Sequence, residues 1–271
     1  MEFGQLLWGL TKVLSQNGIS NLNPECTVVR TASEYNSMGF LPALDGLQIV
    51  YLLSMTLSLS RTRVFLLGTS YGGYIASMMA KLAPHTFRMV VDNSGFCSAE
   101  DDLAGLLRWS KCVVNGVGVL GQTVTHWSSD PNSDSFFSEE RRAIRNLLNR
   151  DHVLGNTART YAYHAATDTI APIARKKHLC EVYKDRVPYE LVIIDEDQID
   201  ERIFKNLGHG MGASMRGIFE VSYEKFIRDG GALSDETDFD QASEYVFACG
   251  KESYVVKFSL EHGVRAQIRA G

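Results

Sequence analysis

The apolar residues follow two patterns that alternate along the chain. Short continuous runs predict buried strands at "RVFLLG", "FRMVVDNSG", "TYAYHAATD" and "YELVIID". Helical spacing between these runs predicts helices at "ALDGLQIVYLLSMTL", "YIASMMAKLAP", "ARKKHLCEVYKD" and "SMRGIFEVSYEKFIRD". Strands that alternate with helices are typical of an α/β protein, so we predict a mostly parallel sheet flanked by helices.

The remaining segments have a looser pattern. An N-terminal amphipathic helix and an extended piece, "CTVVRTA", come first. Residues 96–155 are polar with scattered aromatics and one helix, "SEERRAIRNLLN", which indicates a cap inserted into a domain of residues 1–233. Residues 234–271 form a C-terminal extension, in which "EYVFA" and the alternating residues Tyr254 to Leu260 predict a β-hairpin.

Composition and charge exclude several classes of protein. The 271 residues, 45% of them hydrophobic, can bury one sizeable core, and a net charge of −5 offers no basic face for nucleic acid. No run reaches the roughly 18 apolar residues of a membrane span, and the N-terminus lacks the features of a signal peptide. Five cysteines without a C-x-x-C pair predict buried, reduced thiols in a cytoplasmic protein; we expect no metal and no organic cofactor.

The sequence Gly68-Thr69-Ser70-Tyr71-Gly72 is a G-x-S-x-G pattern between a predicted strand and a predicted helix. This is the setting of a nucleophile elbow, in which the glycines leave room for a strained turn. The alternative is a plain tight turn with a capping serine. The strand and helix on either side favour Ser70 as a nucleophile.

A nucleophilic serine needs a base and an orienting carboxylate. In α/β-hydrolases these follow in the order Ser, acid, His, and Asp168 at the end of "YAYHAATD" and His209 in "NLGHGMG" supply that order. A turn aspartate and an exposed loop histidine are the alternative interpretations of the two residues. Asp195 and Asp197, after the fourth predicted strand, are the next candidates for the orienting carboxylate, and Asp92, after the strand that follows the elbow, is a further alternative. The other histidines fit the pattern less well; they are His85, His126, His164, His178 and His262.

Two further groups have candidate roles in binding. His126 and Trp127, in "THWSSDP", are candidates to line a substrate pocket, although a tryptophan in a cap is more often a packing residue. Arg141, Arg142 and Arg145 could meet an anionic substrate, but a solvated helix face is the favoured interpretation.

The chain resembles α/β-hydrolases, and "GTSYGGYIA" is similar to the elbow of prolyl-oligopeptidase-type serine hydrolases. It is more similar still to an uncharacterised bacterial family of α/β-hydrolase-like proteins, a domain of unknown function. That resemblance runs through "SEYNSMGFLPALDGL", "GTSYGGYIASMMAKLAPHTFRMVVDNSGF", "THWSSDP", "RRAIRNLLN" and "DEDQIDERIFKNLGHGMG", and so covers most of Ser33 to Tyr223. It implies a serine hydrolase fold rather than a substrate.

The chain departs from such hydrolases before the elbow. About 60 residues precede the elbow strand, where this architecture expects several βα units and an oxyanion loop. The N–H of Tyr71 supplies one oxyanion donor, and the second donor has no source in the sequence. We therefore expect an N-terminally shortened member of its family.

Three functions follow from these observations. The leading hypothesis is a serine hydrolase that acts on a small or acylated substrate through Ser70, His209 and Asp168. The first alternative is a catalytically silent binding module with the same fold. The second is an interaction protein, whose exposed sheet edge or C-terminal hairpin pairs with another subunit, either a second copy or a complementing chain that supplies the missing strands.

Overall fold

The computed structural model describes residues 3–23, 25–28, 39–57, 59–98, 110–125, 139–231 and 236–271. The chain divides into two compact units, one of Met1–Tyr35 with Glu100–Phe137 and one of Asn36–Ala99 with Ser138–Gly271. The helices are α1 (Phe3–Gln16), α2 (Phe40–Thr56), α3 (Tyr71–Leu82), α4 (Glu139–Arg142), α5 (Ile173–Tyr183) and α6 (Met215–Arg228). The strands are β1 (Asn21–Leu22), β2 (Glu25–Val28), β3 (Val64–Thr69), β4 (Phe87–Asn93), β5 (Ser110–Val114), β6 (Val117–Thr125), β7 (Arg159–Ala165), β8 (Tyr189–Ile194), β9 (Glu244–Cys249), β10 (Glu252–Ser259) and β11 (Gly263–Ala270).

The first unit contains a small sheet centred on β6. Strands β1 and β2 pair with β6 in parallel, and β5 pairs with it as an antiparallel hairpin. The hairpin turns at Asn115 and Gly116, which have positive φ angles of 51° and 78°. An Asn-Gly pair between apolar alternations is a strong signal for a two-residue hairpin. The sequence analysis overlooked this signal and predicted no strand in this segment.

The second unit is built on a parallel sheet in the order β3-β4-β7-β8. These are the four strands that the apolar runs predicted, so the mostly parallel α/β fold is confirmed. Every residue of β4 is buried, because helices cover both faces of a parallel sheet. The carboxyl ends of β3, β4 and β7 lie side by side, because Thr69 pairs with Asn93 and Asn93 pairs with Tyr163. The core beside the sheet includes Met89, Val91, Tyr161, Tyr163, Ile194, Phe204, Met211, Ile218 and Phe226.

Strand β3 lies at one edge of this sheet. Within the described ranges it pairs with β4 alone, and the strands that precede it in sequence pair with β6 instead. Its side chains are accordingly less buried than those of β4, and Leu67 is 40% exposed. The early strands that the hydrolase architecture expects are therefore not part of the sheet as the structure describes it.

The structure differs from the sequence predictions at one helix and one cysteine, and it extends the predicted hairpin. The helix predicted at "SEERRAIRNLLN" is a single turn, α4, followed by a 3-10 turn at Ala143–Arg145, and Arg145 is 1% exposed rather than on a solvated face. The predicted C-terminal hairpin is confirmed as β9 and β10, and β11 extends it to three antiparallel strands. Cys97 and Cys249 are buried free thiols, whereas Cys112, on β5, is exposed. The boundaries at residues 96, 155 and 233 stay predictions.

Candidate active site

Ser70 joins β3 to α3 in a strained backbone conformation. Its φ and ψ angles are 55° and −122°, a region that a residue with a Cβ rarely occupies. Two backbone hydrogen bonds hold it there: Ser70 N donates to Asn93 O at 2.8 Å, and Tyr74 N donates to Ser70 O at 3.2 Å. This is the strand-turn-helix geometry that the G-x-S-x-G pattern predicted.

The glycines around Ser70 have different roles. A Cβ on Gly68 would collide with the backbone of Gly72, and a Cβ on Gly73 would collide with Asp92 and approach Gly95. A Cβ on Gly72 itself would meet nothing within 4 Å. The steric requirement that the sequence analysis assigned to Gly68 and Gly72 therefore falls on Gly68 and Gly73.

The structure brings the three predicted residues Ser70, His209 and Asp168 together. His209 Nε2 lies 2.8 Å from Ser70 Oγ, and His209 Nδ1 lies 2.8 Å from Asp168 Oδ2. The side chain of His209 is 15% exposed, while that of Asp168 is fully buried. The ring of Phe96 packs beside the imidazole at a centroid distance of 5.8 Å. Ser70 and His209 are thus partly exposed, whereas the carboxylate of Asp168 is shielded from water.

The surroundings of Asp168 keep its carboxylate ionised. Its Oδ1 accepts hydrogen bonds from Ile170 N at 2.9 Å and Ala171 N at 3.0 Å, which leaves Oδ2 to His209. Burial raises the pKa of Asp168, but the hydrogen bonds from His209, Ala171 and Ile170 together lower it by more, and the pKa lies below its ordinary value. A buried carboxylate of this kind can orient an imidazole and stabilise its protonated form.

The loop that carries His209 is held by the last residue of β4, Asn93, and the residue that follows it, Ser94. Asn93 Nδ2 donates to Gly210 O at 3.2 Å, and Gly210 N donates to Ser94 Oγ at 3.1 Å. Gly210, the residue after His209, is thus held through both its N–H and its C=O. The sequence analysis did not single out Asn93 and Ser94, although two polar residues at the carboxyl end of an apolar strand are a signal that could have found them.

A second histidine lies against the acid. His164, on β7, is completely buried, and its Nε2 is 2.5 Å from Ala171 O and 3.4 Å from Asp168 Oδ2. Burial lowers the pKa of His164, opposed by the hydrogen bond to Ala171. The sequence analysis ranked this histidine below His209 because it lies within a strand.

The alternative carboxylates have other partners. Asp92 is buried in an ion pair with Lys176 and accepts a hydrogen bond from Gly95 N. Asp195 is exposed and caps the short turn after β8, and Asp197 is exposed as well. Among these carboxylates, Asp168 is the one that contacts His209.

Of the remaining predicted residues, His126 and Trp127 lie outside the described residues. Tyr71 begins α3, so its N–H has no acceptor within the helix and points from the helix N-terminus. No three His, Cys, Asp or Glu side chains converge on a metal site in the described ranges.

Three features together define an α/β-hydrolase-like protein. They are the parallel sheet, the strained serine between β3 and α3, and the His–Asp pair on the loops that follow. The family model described as "Protein of unknown function (DUF2920)" matches residues 10–268, and the chain belongs to this family.

Several solved structures are similar at low identity. The acetyl ester-xyloside bifunctional hydrolase from Caldicellulosiruptor lactoaceticus is 17% identical over 70% of this chain and 65% of its own, with a TM-score of 0.46. Porphyromonas gingivalis dipeptidyl peptidase 4 is 12% identical over 70% of this chain and 23% of its own, with a TM-score of 0.44. An esterase from Thermogutta terrifontis is 13% identical over 76% of this chain and 68% of its own, also with a TM-score of 0.44.

This chain spans less than two thirds of the first two of these structures. No curated protein matches the sequence. Across the described ranges, the helices are all too short or too polar to cross a membrane.

Proposed function

We propose that this protein is a serine hydrolase that cleaves an ester, thioester or amide through an acyl-enzyme. The observation that carries the proposal is the continuous pair of 2.8 Å contacts from Ser70 Oγ through His209 to Asp168. An unassisted hydroxyl is a weak nucleophile at neutral pH, and this arrangement supplies the base and the orienting group that it needs.

In the first half-reaction Ser70 Oγ attacks the carbonyl carbon of the substrate while His209 Nε2 takes the hydroxyl proton. The Tyr71 N–H donates to the oxygen that becomes negatively charged. His209 then gives its proton to the leaving alcohol, thiol or amine as the bond to the carbonyl carbon breaks. Asp168 holds Nδ1 of the imidazole throughout and stabilises its positive charge.

In the second half-reaction water attacks the acyl-enzyme. His209 takes a proton from the water and returns it to Ser70 Oγ, which releases the acid and restores the enzyme. Small acyl groups, including those carried by sugars, are the substrate class that we prefer.

A fluorophosphonate probe tests the proposal, because it forms an Oγ–P bond and loses fluoride only at an activated serine. We expect the folded chain to be labelled, and expect labelling to disappear in Ser70→Ala and His209→Ala. Ser98→Ala is the matched control, since Ser98 is a buried serine outside the three-residue arrangement. A folded wild-type chain that is not labelled would contradict the proposal and favour a silent binding module.

A second candidate function is an interaction protein that pairs through the edge of β3. It is favoured by the exposure of Leu67 and by an apolar groove of about 490 Å³ beside this strand, lined by Leu53, Leu59, Phe65 and Phe219. We take a second copy of this chain as the partner. Light scattering should then give a dimer that Leu67→Lys dissociates, and a monomer in both proteins would contradict it.

A further inference from the structure

His164 contacts both ends of the turn that presents the proposed catalytic acid. The turn begins at Asp168, whose Oδ1 accepts the N–H groups of Ile170 and Ala171 at 2.9 and 3.0 Å. Its far end is the carbonyl of Ala171, which lies 2.5 Å from His164 Nε2. The Ala171 residue is therefore held through its N–H by the acid and through its C=O by the histidine.

The contact with Ala171 fixes the tautomer of His164. A carbonyl oxygen can only accept a hydrogen bond, so Nε2 of His164 carries the proton. Among the residues that the structure describes, the buried His164 Nδ1 has no hydrogen-bond partner, so no contact there requires a proton on it. The ring is a neutral donor, and its Nε2 remains 3.4 Å from Asp168 Oδ2.

Burial, rather than the surrounding charges, favours a neutral ring, because burial is the largest cause of the lowered pKa of His164. Lys176 opposes protonation, while Asp168 and Asp92 favour it. Asp92 is already paired with Lys176 in a buried ion pair. Because His164 brings no positive charge of its own, the negative charge of Asp168 is left for His209.

From these contacts we infer that His164 is a positioning residue, which fixes the turn Asp168–Ala171 so that Asp168 Oδ2 faces His209 Nδ1. This inference rests on the proposed function, in which Asp168 orients the general base. The side chain acts through Asp168 and does not touch Ser70 or His209 in the contacts that define the site.

The test compares His164→Gln with His164→Leu. The Gln amide places a donor near the position of the imidazole Nε2, whereas Leu fills space without donating. We expect His164→Leu to slow fluorophosphonate labelling at least about tenfold. The loss of rate should stay below the roughly 10⁴-fold that follows when such a carboxylate no longer orients its histidine. The acidic limb of the labelling rate against pH should move to lower pH, because an imidazolium without its carboxylate loses its proton more readily. His164→Gln should recover most of the rate and the original limb.

A second measurement does not depend on activity. The His209 Nδ1 proton, held by a carboxylate, should give a downfield proton NMR signal that His209→Ala removes. We expect His164→Leu to weaken or shift this signal and His164→Gln to preserve it, in proteins shown by circular dichroism to be folded. An unchanged signal and pH limb in His164→Leu would overturn the inference, even if wild type is labelled. A missing label in a wild type that retains the signal would instead overturn the proposed function.

Discussion

The amide of Asn93, at the end of β4, donates a hydrogen bond to the carbonyl oxygen of Gly210, the residue after His209, at 3.2 Å. The same amide lies 3.1 Å from Thr69 Oγ1, next to Ser70. One buried side chain therefore links the residue before the serine to the residue after the histidine, and it sets the spacing between two loops that are distant in sequence.

We predict that Asn93→Ala loosens the His209 loop. The change leaves the half-buried Gly210 O without this donor and should cost about 0.5–1.5 kcal/mol of stability. Fluorophosphonate labelling should fall by more than that loss of folded protein explains. Asn156→Ala is the matched control, because Asn156 also bonds the backbone, at Ala80 O, but away from the site. Equal labelling of the two variants per folded molecule would contradict this prediction.

We predict opposite effects of an added methyl group at adjacent glycines of α3. Gly73→Ala forces a Cβ against Asp92 and Gly95 and should destabilise the protein by about 1–3 kcal/mol. Gly72→Ala meets open space in an exposed helical position and should be neutral or stabilise by up to about 1 kcal/mol. Urea unfolding of both variants checks this. A destabilised Gly72→Ala beside an unaffected Gly73→Ala would show that the steric assignment is reversed.

We predict that Lys81 makes stability rise with pH above neutrality. Burial lowers the pKa of Lys81 from its ordinary 10.5 to about 7, opposed by Cys249, and its Nζ bonds Ile144 O at 2.7 Å and Asn146 O at 3.1 Å. Between these two pKa values the unfolded chain binds the proton and the folded chain does not. The free energy of unfolding therefore rises with pH there, by at most about 1.4 kcal/mol per pH unit.

The measurement for Lys81 is urea unfolding between pH 7 and 9. Lys81→Met should be less stable, because two buried carbonyls lose a donor, and should lack this part of the pH dependence. Lys177→Met, at an exposed position on α5, serves as the control and should keep the wild-type slope. The same slope in Lys81→Met would mean that Lys81 is charged in the folded state.

We predict that Asp168→Asn lowers both labelling and stability in a pH-dependent manner. Labelling should fall about 10⁴-fold, because an amide cannot hold His209 in the required tautomer. Since the pKa of Asp168 is lowered by folding, the carboxylate stabilises the protein above the ordinary aspartate value of 3.8 and loses this effect as pH falls through the lowered pKa.

Unfolding of wild type and Asp168→Asn should thus differ most near neutral pH and converge in acid. Asp197→Asn, at an exposed carboxylate after β8, should leave labelling unchanged. A stability difference that grows on acidification would contradict the predicted direction.

The elements that the sequence predicted best are those with unbroken periodicity. The four strands of the parallel sheet were confirmed, and the two central ones, β4 and β7, are almost fully buried, because strands covered on both faces require continuous apolar runs. The edge strands β3 and β8 are only partly buried. The order of Ser70, Asp168 and His209 was sufficient to predict which side chains lie together, since the carboxyl ends of parallel strands meet at one edge. The catalytic roles of these residues stay a proposal.

Other features depend on contacts that no local pattern reports. Arg145 is buried because α4 ends after one turn and a 3-10 turn follows, so the helical face assumed for it does not exist. The bond between Ser94 and Gly210 joins residues 116 positions apart. His164 contacts the acid only because the turn after β7 folds back on its own strand. These pairings arise from register and turn geometry, which single-sequence periodicity does not encode.

The position of β3 at the sheet edge has a consequence for how the proposed activity would be lost in denaturant. In the part of the chain that the structure describes, β4 alone holds the backbone of the strand that ends at Ser70. Local opening of an edge strand costs less free energy than global unfolding, so the amide protons of Val64–Thr69 should exchange with solvent sooner than those of β4. We therefore expect the proposed nucleophile, Ser70, to lose its labelling at denaturant concentrations at which the core remains folded. Loss of labelling would then report a local opening of the sheet edge rather than global unfolding.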